Sequence, residues 1–459
     1  MTTQSTASID ALIPRGSGHQ LVVYGDACSG VAGAPHEANF AQVGRMLARL
    51  RPQPELVVFT GDEIVGLTAD RHELEGQWRH FLRSEMTWPD RAEVPTYHVT
   101  GNHTAYDPMS EAVFRDVLGM PRNGPGGQEG LSYWVRRGDL LLVVVHTLWS
   151  GLGGEGHVET DWLREVLSAN RDARYKLVAG HHPVFPVNGY SGAYQREIGP
   201  EHGPAFWDVL VEEGVQAYLC SYILAFDVQV QRGVLQITTA GAGTGHRMPE
   251  GVEYLHAVQM AIDMQGLRYQ VLDIEGRPRE RLSWPPRFTS GVWTDLPAGS
   301  MAAPVQGEPD AERIVAFRFA GTTAPDGMAL AQTLLAMHDP CSSSLPPLWI
   351  GLSGPGQRLT VDLSPEHGRS PHTWHGRAFG PNVAFSLNLV VHAGMGPGGL
   401  LVRYDGEETY TSLTGASAWG AERLRWPELW SVAQGRNGSD DRPFLGAVLN
   451  VATMELAGD

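Results

Sequence analysis

Cysteine is scarce: Cys28, Cys220 and Cys341 are the whole complement of 459 residues, and none falls in a CxxC pair. That excludes a disulfide scaffold and a cysteine-rich structural zinc site, and it fits a reducing compartment. Basic residues are in deficit as well. Lys and Arg number 34 against 51 Asp and Glu, for a net charge of −17 and a pI near 5.5. This balance argues against general affinity for nucleic-acid backbones or anionic membrane surfaces, and still permits a local metal site that holds a phosphate. No run approaches the roughly 20 apolar residues of a membrane span. Met1 to Gly18 lack the basic start and apolar stretch of a secretory signal. A cytoplasmic protein with no membrane or nucleic-acid partner is the expectation.

With 42% hydrophobic residues, the chain is long enough for two cored domains. From Gln20 to about Pro285, short apolar runs alternate with helical stretches, the pattern of a layered α/β domain. Phe40, Val43, Met46, Leu47 and Leu50 share one helical face, as do Trp162, Leu163, Val166 and Leu167. Residues 286–312, rich in proline, read as a linker. Residues 313–459 alternate like strands, at Arg358–Leu363, Val383–Val391 and Leu400–Tyr404, and predict an antiparallel β-sandwich. The fold class is therefore α/β, two β-sheets flanked by helices, followed by an all-β sandwich.

Four segments carry the chemistry: Gly25-Asp26-Ala27-Cys28, Gly61-Asp62-Glu63, Gly101-Asn102-His103 and Gly180-His181-His182-Pro183. Each follows an apolar run, Leu21–Tyr24, Leu56–Thr60, Thr96–Thr100 or Leu177–Ala179, that reads as a buried parallel strand. Their polar groups would collect at one edge of a sheet, where open α/β folds place their sites. Paired divalent metals need a shared carboxylate, a few hard or borderline ligands each and open positions. Asp26 and Asp62 offer carboxylates, Asn102 an amide oxygen, His181 an imidazole, and His103 a proton donor. Taken singly, each is as well explained as a helix cap, a turn residue or a buried histidine; the order of the set is what carries information.

In that order the chain resembles the calcineurin-like metallophosphoesterases, and within them the purple-acid-phosphatase-like branch, over residues from about 20 to 275. The resemblance implies a four-layer sandwich and a centre of one or two divalent or trivalent ions, manganese, zinc or iron. Asp26 would bind one ion, Asp62 would bridge both, and Asn102 and His181 would bind the second, with His103 assisting the leaving group. The implied reaction is attack of a metal-activated hydroxide on a small-molecule phosphoester.

The departures matter as much. Ser221-Tyr222-Ile223-Leu224 stands where the family has its final GHxH, so both histidines are missing. Leu224 cannot ligate, and Tyr222 ligates only as a phenolate. Cys28 stands where many members have histidine, a candidate metal ligand whose thiolate would suit a soft or borderline ion, and Thr104 replaces the acid after GNH, a role Asp107 is placed to take. A weakened, mononuclear or altered site is expected. His182 and His246 are the candidate substrate contacts, while His36, His146, His157 and His256 read as structural.

Two other readings compete: a degenerate fold relative that serves as a binding or scaffolding module, and a mononuclear metal enzyme of other chemistry. Trp349, Trp374, Trp419, Trp426 and Trp430, with His372, His375 and His392, populate the C-terminal segment. Aromatic platforms bind sugars, but no ligand motif supports carbohydrate binding here, and core packing is the expectation. Similarity of this segment to laminin-G or concanavalin-like sandwiches is generic, and its role is that of an accessory domain.

Overall fold

The computed structural model describes residues 7–148, 156–186, 197–199, 201–245, 254–285, 292–302, 313–326, 331–338, 347–363, 372–393, 399–404, 410–414, 429–434 and 443–456. The chain divides into two compact units, one of residues 1–229 and 233–285, the other of 230–232 and 286–459.

In chain order the first unit contains β1 (Ile9–Asp10), β2 (Gly18–Tyr24), α1 (Pro35–Leu47), β3 (Leu50–Arg51), β4 (Leu56–Phe59), α2 (Arg71–His80) and a π-helical turn (Phe81–Glu85). There follow β5 (Thr96–His98), α3 (Pro108–Leu118), β6 (Tyr133–Arg137), β7 (Leu140–Val144), α4 (Thr160–Ala169), β8 (Tyr175–Ala179) and α5 (Gly203–Glu212). It closes with β9 (Ala217–Cys220), β10 (Phe226–Gln231), β11 (Val234–Thr239), β12 (His256–Asp263), β13 (Gly266–Asp273) and β14 (Pro278–Trp284). Two six-stranded sheets result, in the orders β14-β13-β12-β2-β4-β5 and β10-β11-β9-β8-β7-β6. The parallel pairs β2 with β4 and β4 with β5 sit in the first sheet, and β7, β8, β9 and β11 run parallel in the second.

Apolar alternation decides which face each strand gives to the helices. Val22, Tyr24, Val57 and Phe59 of the first sheet cluster with Phe40, Val43, Met46 and Leu47 of α1, Trp78 of α2 and Phe114 of α3. Leu141, Val143, Val178 and Tyr218 of the second cluster with Leu163 and Val166 of α4 and Phe206 and Trp207 of α5. The intervening residues, among them Leu21, Val23, Val58, Leu142 and Leu177, are also buried. By the two-residue repeat they point the other way, so the sheets are covered on both faces, as parallel strands require. Full burial of each such side chain contributes ~1.5–3 kcal/mol.

Helix starts follow their capping chemistry. Asp70 accepts the amides of His72 and Glu73 at the head of α2, and Asp107 forms a reciprocal box with Ser110 at the head of α3, which Gly119 ends at φ 60°. Asp107 is thereby committed to the helix, which corrects its expected role as the orienting partner of His103.

The second unit is an antiparallel sandwich. It comprises β15 (Thr294–Leu296), β16 (Gly299–Ala302), β17 (Arg313–Thr322), β18 (Gln332–His338), β19 (Leu348–Ser353), β20 (Arg358–Leu363) and β21 (His372–Ala378). The remaining strands are β22 (Ala384–Ala393), β23 (Gly399–Tyr404), β24 (Tyr410–Thr414), β25 (Leu429–Val432) and β26 (Ala447–Leu456). Its sheets run β15-β26-β17-β22-β23-β24 and β16-β25-β18-β19-β20-β21, and its centre is built from residues that include Val315, Phe317, Leu335, Ile350, Leu387 and Trp430. Within the stretch expected as a linker, β15 and β16 pair with Val451–Thr453 and Leu429–Val432. Pro297 falls in the turn between them, where its missing N–H costs no ladder bond. Trp349, Trp374 and Trp430 are buried; Trp419 and Trp426 lie outside the described residues.

Candidate metal centre

The polar segments all emerge at carboxyl ends of strands, but from both sheets. Asp26, Asp62 and Asn102 follow β2, β4 and β5, whereas His181 and Tyr222 follow β8 and β9 of the other sheet. The centre therefore lies where two sheets meet, and not at the edge of one as the strand pattern alone suggests.

Backbone hydrogen bonds extend the parallel pairing of β2 with β4 past the strand ends. Asp26 N–H donates to Gly61 O at 2.9 Å, Cys28 N–H to Asp62 O at 2.8 Å, Ser29 N–H to Glu63 O at 2.9 Å and Val65 N–H to Ser29 O at 2.8 Å. On this frame Asp26, Cys28 and Asp62 hold φ values of 60°, 42° and 57°, and Tyr222 one of 66°. The left-handed region is uncommon for residues with a side chain and costs on the order of 1–3 kcal/mol each. Glycine is demanded beside them: a Cβ on Gly101 would collide with Asp62 Oδ1, and one on Gly61 would lie 2.6 Å from His181 Nδ1.

The side chains converge. His181 Nε2 lies 3.3 Å from Asp62 Oδ2 and 3.1 Å from Asn102 Oδ1. Its Nδ1 faces the Thr60 carbonyl at 2.8 Å and Ser221 Oγ at 3.1 Å. A ring whose Nδ1–H donates to a carbonyl presents Nε2 as its lone-pair donor, the usual arrangement of a metal-ligating histidine. His103 is fixed in the same way, Nδ1 to Val65 O at 2.7 Å, and its backbone N–H donates to Asp62 Oδ1 at 2.8 Å. Asp26 Oδ2 accepts the Tyr222 amide at 3.0 Å. Two clusters of possible donors form here, Asp26 with Asp62 and His181, and Cys28 with Asp62 and His103, each with its donor atoms within 4.8 Å of one another. Asp62 belongs to both.

Electrostatics sharpen the picture. Burial pushes the Asp26 carboxyl up, against the pull of His181. Burial also opposes the charged form of Asp62, yet the adjacent His181 and His103 hold it below its usual value. Burial disfavours a charged His181, and the Asp62 and Asp26 carboxylates raise it nonetheless. Two carboxylates and one imidazole, all buried, leave negative charge in excess. Among the described residues neither Asp26 nor Asp62 has an ion pair with Lys or Arg.

Other expected residues fall elsewhere. His182 is fully buried, with Nδ1 2.9 Å from Thr147 Oγ1 and its ring 4.3 Å from that of Tyr222. The Tyr222 ring packs on both imidazoles, at 5.3 Å from that of His181, and Leu224 is buried. His246 lies outside the described residues. His36 bonds Cys28 O at 2.8 Å, His146 bonds Thr100 Oγ1 at 2.7 Å, His157 bonds Glu159 at 3.0 Å and His256 bonds Tyr254 O at 2.7 Å. Sequence reasoning missed Thr60 and Ser221, whose oxygens orient His181. It missed as well the anchoring of the turn after Cys28, where Glu85 accepts Gly30 N–H at 3.0 Å, Glu37 accepts Gly33 N–H at 2.6 Å, and His80 joins the two carboxylates at 3.2 and 2.9 Å.

Residues 19–221, which include every member of this cluster up to Ser221, match the family model of calcineurin-like phosphoesterases. This segment is similar to a calcineurin-like phosphoesterase domain. No curated protein matches the sequence. Among solved structures the chain is similar to a purple acid phosphatase from yellow lupin (Lupinus luteus) seeds, at 13% identity, 59% coverage of this chain, 55% of that chain and a TM-score of 0.44. It thus spans about half of that protein's length. A dimetal phosphatase from Danio rerio is similar at 16% identity, 58% and 98% coverage and a TM-score of 0.43. The anchor in the inner membrane complex of Plasmodium is similar at 12% identity, 58% and 88% coverage and a TM-score of 0.41. Among the described residues of the phosphoesterase domain, and of the rest of the chain, no helix is long and apolar enough to cross a membrane.

Proposed function

We propose that the phosphoesterase domain is a metal-dependent hydrolase of small-molecule phosphoesters, with one cation held by Asp26, Asp62, Asn102 and His181. The observation that carries this reading is the uncompensated charge: two buried carboxylates face one imidazole through left-handed backbone, and a divalent cation is the group that such a donor set suits. A bound ion supplies positive charge that polarises a phosphoryl oxygen and acidifies water. The chain supplies the rest. Thr60 O and Ser221 Oγ fix the His181 ring, the Tyr222 amide fixes Asp26, and Val65 O leaves His103 Nε2 as the atom that handles a proton at the leaving oxygen.

Purified full-length protein loaded with manganese, zinc or iron is expected to turn over aryl phosphate mono- or diesters, and Asp62→Asn to lose more than about 100-fold of that rate, since even outer partners of a metal cost about 10–100-fold. Silence with every metal, in protein that retains bound ion, overturns hydrolysis. It would favour the second reading, a binding module on the same fold, which draws on buried Leu224 and on Tyr222 packed against His181 and His182.

A further inference from the structure

The head of α1, the last residue of α2 and the end of the π-helical turn bring three further ligand-type side chains together. Glu37, His80 and Glu85 place two carboxylate oxygens and a ring nitrogen within 4.8 Å of one another. We propose that they form a separate zinc position, which clips α1, the π-helical turn and the turn of residues 28–34 to one another. It shares no residue with the cluster of Asp26, Asp62 and His181, and it stands whether or not the domain is a hydrolase.

Two carboxylates converge on one atom. His80 Nε2 lies 2.9 Å from Glu37 Oε1 and 3.2 Å from Glu85 Oε1, so both compete for the single proton that nitrogen can carry. Among the described residues neither carboxylate has an ion pair with Lys or Arg, and negative charge stays in excess even with the imidazole protonated. The spacing suits a metal as well. Zinc bonds of about 2.0–2.2 Å to nitrogen and oxygen set tetrahedral ligands about 3.3 Å apart, within a few tenths of an ångström of the separations found. In an α-helix His80 and Glu85, five residues apart, would stand about 140° apart around the axis. The wider π-helical turn over Phe81–Glu85 brings both to Glu37 instead, and such turns recur at functional sites. Backbone amides already orient the carboxylates, as outer partners of a metal do. Buried Glu85 accepts Gly30 N–H on both oxygens at 3.0 Å, and Glu37 Oε2 accepts Gly33 N–H at 2.6 Å. His80 and Glu37 are half-open to water, which supplies a way in and a fourth ligand. An imidazole with two carboxylates suits borderline zinc better than hard magnesium or calcium. On binding, the ion takes the Nε2 lone pair and the proton there passes to solvent.

Equilibrium dialysis of the full-length protein against zinc, read by elemental analysis, tests this. Asp62→Asn, which removes the shared carboxylate of the other centre, is expected to keep one zinc equivalent. Adding His80→Gln or Glu37→Gln is expected to weaken that equivalent by at least about 100-fold, since even outer partners of a metal are worth about 10–100-fold. Zinc is likewise expected to raise the Tm of Asp62→Asn, and to leave that of Asp62→Asn with His80→Gln where it was. Glu37→Gln keeps an oxygen for Gly33 N–H and serves should His80→Gln fail to fold. His80→Gln alone, expected to bind one equivalent fewer than the unaltered protein, serves should Asp62→Asn fail. No zinc on Asp62→Asn overturns the proposal and leaves the hydrolase reading standing. An equivalent that survives both His80→Gln and Glu37→Gln lies elsewhere and also overturns it. An equivalent lost with them, in a protein that is silent toward phosphoesters with Asp62 intact, upholds this position while the hydrolase reading fails.

Discussion

The two ends of the phosphoesterase domain hold nearly the same side chains and use them differently. At the amino ends of the strands, His19 lies between Glu55 at 2.9 Å and Asp139 at 2.8 Å, with Arg137 3.1 Å from Glu55 and Arg174 3.8 Å from Asp139. At the carboxyl ends, His181 lies among Asp62, Asp26 and Asn102. The first cluster is partly open to water and carries an arginine for each carboxylate. The second keeps its carboxylates and imidazole buried, sits on left-handed backbone and has no arginine or lysine ion pair among the described residues. Charge that is compensated within the chain makes a clamp, and charge that is left over is what the proposed cation would neutralise.

Asp62→Asn breaks this contrast most strongly. It is expected to abolish cation binding at the carboxyl-end centre, read by elemental analysis after incubation with excess zinc, because Asp62 is the carboxylate common to both donor clusters there. Tyr222→His comes next. It restores a histidine beside His181 and is expected to raise metal occupancy and phosphoesterase rate by about 10-fold, the scale of one well-oriented partner; no gain in either would show that the strand end has diverged beyond one ligand.

Stability then separates the two ends by sign. Burial raises the Asp26 carboxyl, so its charge opposes folding above its own pKa in metal-free protein. Asp26→Asn is therefore expected to raise the metal-free Tm at pH 8 by about 2–4 °C, and a fall would contradict the surplus of charge. His19→Gln is expected to do the reverse, and more weakly. The hydrogen bond to Glu55 raises His19 above its usual value despite burial, so its contribution is fully present below the unfolded pKa and disappears as pH rises through the folded one. Glu55 is lowered against the effect of burial by its bond to His19, and the same bond from His19 lowers Asp139; those contributions vanish as pH falls through the folded carboxyl values. The loss in His19→Gln should be greatest near about pH 6, roughly 1–2 °C for an exchange of this kind, and should fade toward about pH 9 in a series of thermal melts.

Much of this is legible in the sequence because apolar runs such as Leu56–Phe59 end abruptly in glycine and a polar residue, which is local information. The α1 face of Phe40, Val43, Met46 and Leu47 is legible for the same reason. What the pattern does not encode is partnership across the fold. The carbonyls of Thr60 and Val65 that set the histidine tautomers belong to apolar or bland positions, so no residue type announces them. Asp107 looks available to the GNH turn, but a nearby helix start claims it first. The assignment of His181 to a second sheet depends on strand order, which follows from packing and not from periodicity. Residues 294–302 resemble a linker because short strands broken by proline and glycine carry too few alternating positions to stand out.

The most direct test is anomalous diffraction from crystals of the full-length protein grown with manganese. A peak within bonding distance of Asp26, Asp62 and His181, lost in Asp62→Asn, is the result this account expects. Density that shows those side chains bonded only to one another, with the cation bound elsewhere or not at all, would contradict it.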